Sequence, residues 1–531
     1  MRRWNGWGDE STSMELPAHG ATFLAQRIGP GQRLADASLA EVLARVPPSR
    51  LPPHPLVRTD AETRVRHARG QSLPDWLAMR EGQFGTFPDG VAFPESPEHV
   101  RELLAWIVHH DLQAIPYGGG TSVAGHVTPQ ASPKPLLTLS LARMNRLLEL
   151  DETSQIACFG PGANGPQVES QLRARGFTLG HYPQSWELST LGGWVASRSS
   201  GQQSLRYGRI EQLFAGGRLE TFGGTLAIPT FPASAAGPDL RELVLGSEGR
   251  FGVISEVRVR VSRLPERERF YAVFLPNWER ALDAVRHLAQ ARVPLSMLRL
   301  SNAIETETQL ALAGHPRQIG LLERYLALRG AGVGKCMLTF GVTGAQAPCA
   351  ASLRQARRLL RRFGGVFTGT VLGRKWAEGR FRFPYLREAL WEAGYVVDTL
   401  ETATDWRNVA ALMGKVEGAL REELAERGER VHVFTHLSHV YGQGSSLYTT
   451  YVFRPGADYA EALERWRRLK HAASETLVRN GGTISHQHGV GRDHAPYLRV
   501  EKGERGIAAL RALARHFDPD GRLAPGVLLP E

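Results

Sequence analysis

Three glycine- and hydroxyl-rich segments between residues 116 and 254 constrain this chain more than anything else in it. The first is Pro116, Tyr117, Gly118, Gly119, Gly120, Thr121 and Ser122, at the end of an apolar run, LQAIP (112–116), that reads as a buried strand. Three successive glycines let the backbone turn sharply and approach a ligand with no side chain in the way. Their N–H groups can converge into an anion nest, and Thr121 and Ser122 add hydroxyl donors. The lysine of a Walker-type phosphate loop is missing. The second segment is Gln184, Ser185, Trp186, Glu187, Leu188, Ser189 and Thr190, then Leu191-Gly192-Gly193, then Ser197, Arg198, Ser199 and Ser200. The third is Gly246-Ser247, then Glu248, Gly249, Arg250, Phe251, Gly252, Val253 and Ile254. Any one of them alone reads equally as a tight turn. Together they point to a long polar ligand wrapped by backbone rather than to a single phosphate.

Gly160-Pro161-Gly162-Ala163-Asn164-Gly165 also has the spacing of a dinucleotide-binding turn between a strand and a helix. Pro161 and Pro166 remove two backbone donors that such a turn uses, so it reads as an ordinary strand-to-helix turn. The 531 residues allow two large domains or several smaller ones. Residues 1–79 are rich in proline and arginine, and LPPHPL (51–56) reads as extended linker. Over 80–262, strands at 135–141, 155–159 and 251–264 alternate with helical periods. SPEHVRELLAWIVHHD (96–111) sets Val100, Leu103, Leu104 and Ile107 on one stripe behind a Ser-Pro start, which predicts a helix. GPQVESQLRARG (165–176) predicts another. From 263 to 455, strands at 270–275, 336–344 and 447–453 alternate with helices at 278–291, 346–363 and 405–427. That order predicts an antiparallel sheet with helices on one side. Residues 456–531 read as helix, glycine-rich turn, helix.

Charge narrows the partners. There are 64 basic and 53 acidic residues, a net charge of +11, and the basic residues are mostly arginines spread along the chain. Such a balance suits a small anionic ligand or an anionic membrane face. No nucleic-acid motif accompanies it, so nucleic acid is not expected as a partner. Cys158, Cys336 and Cys349 are far apart and read as buried small hydrophobes, not as a zinc site or disulfides. MRRWNGWGDEST lacks the apolar core of a signal peptide, and no apolar run reaches the ~18 residues of a membrane span. The expectation is a cytoplasmic, bacterial-type protein, with contact to the membrane periphery left open. The basic amphipathic segment ASLRQARRLLRRFGG (351–365) reads as a solvated helix face, with a membrane contact as its alternative.

Histidines cluster late. His486 and His488 lie two apart in an extended, glycine-flanked segment and share a face. They could do acid–base work or bind metal. On a strand, His432 and His436 of VHVFTHLSHVYGQG share one face and His439 takes the other. Active-site lining, a structural role and metal ligation all stay open for that trio.

PYGGGTS, ELSTLGG and GSEGRFGVI in this order resemble the FAD-binding (PCMH-type) domain of the vanillyl-alcohol oxidase family of flavoproteins. Within that family a longer run of motifs is similar to the alkyldihydroxyacetonephosphate synthases: WNGWG (4–8), GHYPQSWELSTLGGWVASRSSG (180–201), YGRIEQL (207–213), GPDLRELVLGSEG (237–249), SMLRLSN (296–302), LREALWEAGYVVDTLETATDW (386–406), SSLYTTYVF (445–453) and NGGTISHQHGVG (480–491). This likeness spans nearly the whole chain.

The resemblance implies an α+β flavoprotein. An N-terminal extension (1–79) would precede a two-subdomain FAD-binding domain (80–262), a cap domain with an antiparallel sheet (263–455) and a C-terminal segment (456–531) that completes the active site. It implies that Pro116 to Ser122, Gln184 to Thr190, Ser197 to Ser200 and Glu248 to Ile254 hold FAD. None of the three loops contains a histidine to tether the flavin, so the binding is expected to be non-covalent. Tyr448 matches the family's catalytic tyrosine and would shuttle a proton if its pKa is lowered. His181, His486, His488 and Arg299 match further catalytic positions, Arg387 matches an arginine that binds the substrate phosphate, and no metal is implied. The implied function is ether-lipid synthesis, the exchange of acyl for alkyl on dihydroxyacetone phosphate through a flavin adduct, without net redox. Two alternatives remain: an FAD-dependent oxidase or dehydrogenase of a 2-hydroxy acid or alcohol, and a flavin-binding protein without turnover. The expected partner is a phosphorylated, lipid-like small molecule, and a homodimer is left open. Gln487 stands where the family has the middle of three histidines, and His436 where it has an arginine. An amide can hold a hydrogen bond but cannot exchange a proton at neutral pH.

Overall fold

A computed structural model describes residues 1–313 and 316–529. The part expected to bind FAD is built from two sheets. The first has the strand order Val57–Arg58, Gly90–Ala92, Leu136–Ser140, Gln113–Tyr117, and its last three strands run parallel. Leu136–Ser140 is buried at every position, as a strand covered on both faces must be. The helix Pro97–His109 covers it with Val100, Leu103, Leu104 and Ile107, the stripe expected from the sequence. Ser96 caps that helix by accepting from the His99 N–H, and Pro97 sits where its missing donor costs nothing. The second sheet is antiparallel, in the order Leu147–Asp151, Ile156–Phe159, Val253–Arg260, Phe214–Thr221, Gly224–Ile228. Its core joins Phe159, Leu219 and Val257 to Val168 and Leu172 of the helix Gly165–Arg173 and to Trp194.

The cap carries a seven-stranded antiparallel sheet: Val366–Phe367, Arg267–Leu275, Cys336–Gly344, Met297–Ser301, His432–Leu437, Gly444–Phe453, Val396–Asp405. Helices cover both of its faces, not one. Val273 and Leu275 pack under the helices Trp278–Gln290, Gln346–Arg362 and Trp406–Glu422, while Phe274 packs against Leu310 and Leu326 on the opposite side. The reason is visible in the strand, where six successive residues from Phe270 are buried whichever way they point. The basic helix Gln346–Arg362 turns Cys349, Ala356 and Leu360 inward and leaves arginines outside.

The N-terminal extension is built into the fold on both sides of the extended LPPHPL segment. It supplies the edge strand Val57–Arg58 and the helices Ala18–Ile28, Ala61–Arg66 and Leu73–Glu81. Trp76 and Leu77 of the last helix belong to the cap core, and Leu24 and Ile28 pack on Leu390, Tyr395 and Val452. Proline here starts elements as well as extending chain: Pro74 lies in the first turn of Leu73–Glu81, behind a Ser72 cap. The C-terminal segment returns to the first domain. Leu523 bridges to Ala114 beside the first glycine loop, and Ile484, Leu498 and Ile507 enter the core of the second sheet.

Candidate active site

One cavity of about 450 Å³ lies between the glycine loops and the cap sheet. The first loop continues the strand Gln113–Tyr117, and Pro116 to Ser122 all line the cavity. A Cβ on Gly119 would stand 1.9 Å from the Leu188 carbonyl oxygen, and one on Gly118 would stand 2.4 Å from Thr190 Oγ1. These glycines therefore let the first and second loops lie backbone against backbone, besides opening a way to a ligand. Arg2 donates to the Gly119 carbonyl at 2.6 Å, so the chain's N-terminal residues brace the same loop. Thr190 caps the helix Leu191–Ser197 through the Gly193 N–H.

Gln184, Ser185, Ser189, Thr190, Ser197, Ser199, Ser200, Glu248, Gly249, Gly252 and Ile254 also reach the wall. Other members of the expected cofactor set turn away from it. Trp186 stacks on Phe381 at 4.6 Å, Glu187 accepts from the Tyr385 hydroxyl, and Arg198 pairs with Glu242. Arg250 donates to the Leu523 carbonyl, Leu188 presents its carbonyl to Gly119, and Phe251 and Val253 fill cores. In a compact loop only part of the side chains can face one cavity; the remainder anchor the loop. The Glu248 carboxylate spends its oxygens on the Val490 and Gly491 N–H groups, at 2.5 and 2.8 Å, and ties the third loop to the C-terminal segment.

The cradle fits FAD. Open glycine backbone lines one end, and Ser247 Oγ, Trp7 Nε1 and the Nε and Nη2 of Arg387 are buried on the wall with no partner of their own. His126, which no motif flagged, also lines the wall. Its Nδ1 lies 2.5 Å from Ser122 Oγ and its Nε2 lies 3.1 Å from the Glu248 carboxylate.

Across the cavity, the cap sheet sets Glu401, Tyr448 and His436 side by side on three adjacent strands. Tyr448 donates to Thr399 Oγ1 at 3.1 Å and approaches Gln184 Oε1 at 3.4 Å. Its ring stacks on His436 at 4.9 Å and meets the edge of His488 at 5.7 Å. Burial raises the Tyr448 phenol above its ordinary value, so the lowering on which a ready proton shuttle depends is not met. It is poised as a hydrogen-bond donor and acid, not as a phenolate. Burial also lowers His488, which lines the cavity beside Gln487.

The two arginines differ. Arg387 lies over Trp76 at 4.3 Å and donates to the Gln71 carbonyl at 2.7 Å, leaving Nε and Nη2 for a ligand. Arg299 is already paired, at 2.7 Å, with Glu305, which also lies 2.9 Å from His436 Nδ1. Burial alone would raise the Glu305 carboxyl; His436 and Arg299 overturn that and hold it well below the usual range.

His181 and His486 do not reach the cavity wall. His181 sits behind the second loop, against Trp194 at 4.8 Å and 3.2 Å from Ser199 Oγ; burial, with Arg209 nearby, pushes it down to about 3. His486 lies 3.2 Å from Glu401 and stacks on His439 at 5.1 Å. Glu401, His439 and His486 bring ligand-capable atoms within 4.8 Å of one another. Yet a guanidinium nitrogen of Arg209 stands 2.8 Å from His486 Nε2. A fixed positive charge at that distance repels a second cation, so the trio does not suit a metal. His432 is further off, bonded to Thr308 Oγ1 at 2.9 Å.

Residues 88–227 match the FAD binding domain family, and residues 264–528 match the family of FAD linked oxidases, C-terminal domain. The chain is 28% identical to an alkyldihydroxyacetonephosphate synthase of Dictyostelium discoideum over 99% of its own length and 93% of the relative's. It is 28% identical to the synthase of Trypanosoma brucei brucei, covering 99% and 92%. A solved alkyldihydroxyacetonephosphate synthase superposes with a TM-score of 0.85 at 25% identity, over 99% of this chain and 98% of the other.

Proposed function

The chain belongs to the FAD-linked oxidase family of flavoproteins, and from that membership we propose that it exchanges the acyloxy group of an acylated dihydroxyacetone phosphate for a long-chain alkoxy group. It is an FAD-dependent enzyme of the alkyldihydroxyacetonephosphate synthase type. FAD, bound without a covalent link, supplies an electron-poor ring that can take up electron density from a substrate carbon.

The observation that carries the reading is the mixed lining of the cavity. Arg387 offers two unpartnered guanidinium nitrogens, the fork that suits a phosphate. Met297, Leu312, Phe383, Leu386 and Leu390 line the same cavity with apolar surface, which suits a long chain. Tyr448 and His488 line the same cavity edge to face, where a proton on the substrate carbon or the alcohol could be handled. The Arg299–Glu305 pair adds no net charge, so Arg387 is assigned the phosphate by itself. A 2-hydroxy acid could also use the Arg387 fork through its carboxylate, and this keeps the oxidoreductase reading as the rival.

The deciding experiment mixes the holoenzyme with acyl-dihydroxyacetone phosphate and hexadecanol and follows fatty acid, oxygen and the flavin spectrum together. Fatty acid release without oxygen uptake is expected. Stable bleaching or oxygen uptake with a hydroxy acid, and no fatty acid release, would pass the case to the rival. The exposed Leu321, Tyr325 and Leu328 of the helix Pro316–Leu328, flanked by Arg317, Arg324 and Arg329, support a contact with an anionic bilayer. Co-sedimentation with phosphatidylglycerol vesicles, lost in Leu321→Asp/Leu328→Asp, tests that contact.

A further inference from the structure

We infer that His436 takes the hydroxyl proton of the incoming alcohol on its Nε2, with Glu305 holding the ring from behind. The inference rests on the exchange reaction proposed above, in which an alcohol is the nucleophile and must lose a proton. The bond between C1 and the acyloxy oxygen breaks, and the fatty acid leaves as a carboxylate. A bond between C1 and the alcohol oxygen forms as the hydroxyl proton passes to His436. That proton goes on to water in the cavity once the product leaves, and no electron is transferred. An alcohol is far too weak an acid to ionise unaided at neutral pH, so a neutral base has to stand where its oxygen attacks.

The fold builds the pair from two adjacent strands and the helix that follows one of them. Ser301 lies opposite His436 in the cap sheet, and the chain turns directly from Met297–Ser301 into the helix Ala303–Leu312. Asn302 caps that helix by accepting from the Glu305 N–H at 2.8 Å, which sets Glu305 in the first turn, where negative charge is favoured. Glu305 Oε1 lies 2.9 Å from His436 Nδ1 and 2.7 Å from Arg299 Nη2. Arg299 Nη2 also lies 3.1 Å from that Nδ1, and the carboxylate that both of them meet decides the tautomer. The Glu305 carboxyl is held well below its ordinary range and is ionised, so it has only lone pairs to offer. A bare Nδ1 at 2.9 Å would set two lone pairs against each other. Nδ1 therefore carries the hydrogen, it and Arg299 both donate to Oε1, and Nε2 is left with the lone pair.

His436 lines the cavity, and among the described residues nothing hydrogen-bonds its Nε2. Burial, with Arg299 beside it, keeps the ring below its ordinary value against the pull of Glu305 and Glu401, so it is neutral and able to accept. When it does, the charge that forms is met by the Glu305 carboxylate through the existing hydrogen bond, the part a triad carboxylate plays behind its histidine. The ring is held flat against Tyr448, 4.9 Å away at 15°. Met297 stands on the same strand face as Arg299, and Leu312 lies two helical turns along from Glu305. Both line the cavity, so the elements that hold the base also offer apolar surface to an alcohol's chain. Tyr448 and His488 remain for the substrate carbon. His436 is thus a catalytic residue and Glu305 a positioning one.

The test offers the holoenzyme two nucleophiles with acyl-dihydroxyacetone phosphate: labelled hexadecanol, which must lose a proton, and labelled palmitate, which arrives already ionised. In His436→Gln, kcat for alkyl transfer should fall by about 10²–10⁴, with KM for the phosphorylated substrate within about twofold. Palmitate incorporation should fall by no more than about threefold, because that nucleophile needs no base. A hexadecanol fluorinated beside the carbinol carbon has a more acidic hydroxyl and should recover part of the lost rate. Glu305→Gln keeps an oxygen for the Nδ1 hydrogen but no charge, and should slow alkyl transfer alone by about tenfold. The ratio of the two rates does not depend on the folded fraction, so a misfolded preparation cannot imitate the result. Equal losses with alcohol and palmitate, or unchanged alkyl transfer in His436→Gln, would overturn the base. A wild-type enzyme that incorporates neither label overturns the exchange reaction itself, and the base with it.

Discussion

Tyr448 and Arg387 carry the sharpest expectations, because each has one group aimed into the cavity and a defined set of neighbours behind it. Tyr448→Phe removes the hydroxyl that donates to Thr399 and leaves the stack on His436 in place. Turnover should fall by about 10²–10⁴ with FAD content unchanged, and stability by only about 1 kcal/mol for the lost hydrogen bond. A loss under tenfold in a steady-state assay would return the ring to a packing role. Arg387→Ala removes two charge-assisted donors, so KM for the phosphorylated substrate should rise about 10²-fold. KM for the dephosphorylated analogue should hardly move. Equal effects on both would mean that the arginine supports the helix and not the ligand.

The helix Phe383–Glu392 and the N-terminal turn behave as one brace. Glu388 accepts from the Trp7 N–H at 2.9 Å and pairs with Arg80, which also pairs with Asp36 at 2.6 Å. A Cβ at Gly6 would strike the Glu388 carboxylate, at 2.0 Å. Arg2, from the same turn, reaches the Gly119 carbonyl. Residues 1–9 thus join the phosphate-type loop to the helix that presents Arg387. Arg2→Ala should weaken FAD binding about tenfold, the value of one hydrogen bond to a charged group. Titration of apoprotein with FAD by flavin fluorescence measures this, and an unchanged Kd would remove the brace from the argument. Substitution at Gly119 is a poorer probe of phosphate approach than the sequence suggests. Even alanine there would collide with Leu188 and separate two loops.

The buried histidines give the protein as a unit a predictable weakness in acid. Burial, chiefly, pushes His181 and His439 down to about 3 and His432 down to about 4. The unfolded chain takes up protons at these positions below about 6.5, and the folded chain does not. Stability is therefore complete above that pH and declines as pH falls, by roughly 2 kcal/mol per histidine at pH 5. The buried carboxylates Glu305 and Glu401, also held below their ordinary values, act in the same sense at lower pH, with their contribution lost as pH falls below about 4.3. His432→Gln can keep the bond to Thr308 and cannot be protonated. Its loss of unfolding free energy between pH 7 and pH 5, from urea titrations, should be smaller than wild type's by about 2 kcal/mol. An identical decline would show that His432 is protonated as easily folded as unfolded.

Much of the molecule can be read from its letters because the information is local. The stripe Val100, Leu103, Leu104, Ile107 needs only the helical period, and the three glycine loops need only the freedom of glycine. The motif order is enough to name the flavin-binding family and to mark Tyr448, His488 and Arg387, all of which line the cavity. What the letters could not convey depends on contacts between distant segments. His181 and His486 look like their catalytic neighbours in sequence, yet sheet register and loop packing set them behind the wall. Arg299 looks free until Glu305 and His436 are brought to it from other elements. The proline- and arginine-rich N-terminal extension gives no local sign that Trp76 is buried in a core hundreds of residues away along the chain. A side chain's type and spacing set what chemistry it can do. Whether it faces a ligand, a partner charge or a core is decided by the segments folded against it, and no single stretch of chain contains them.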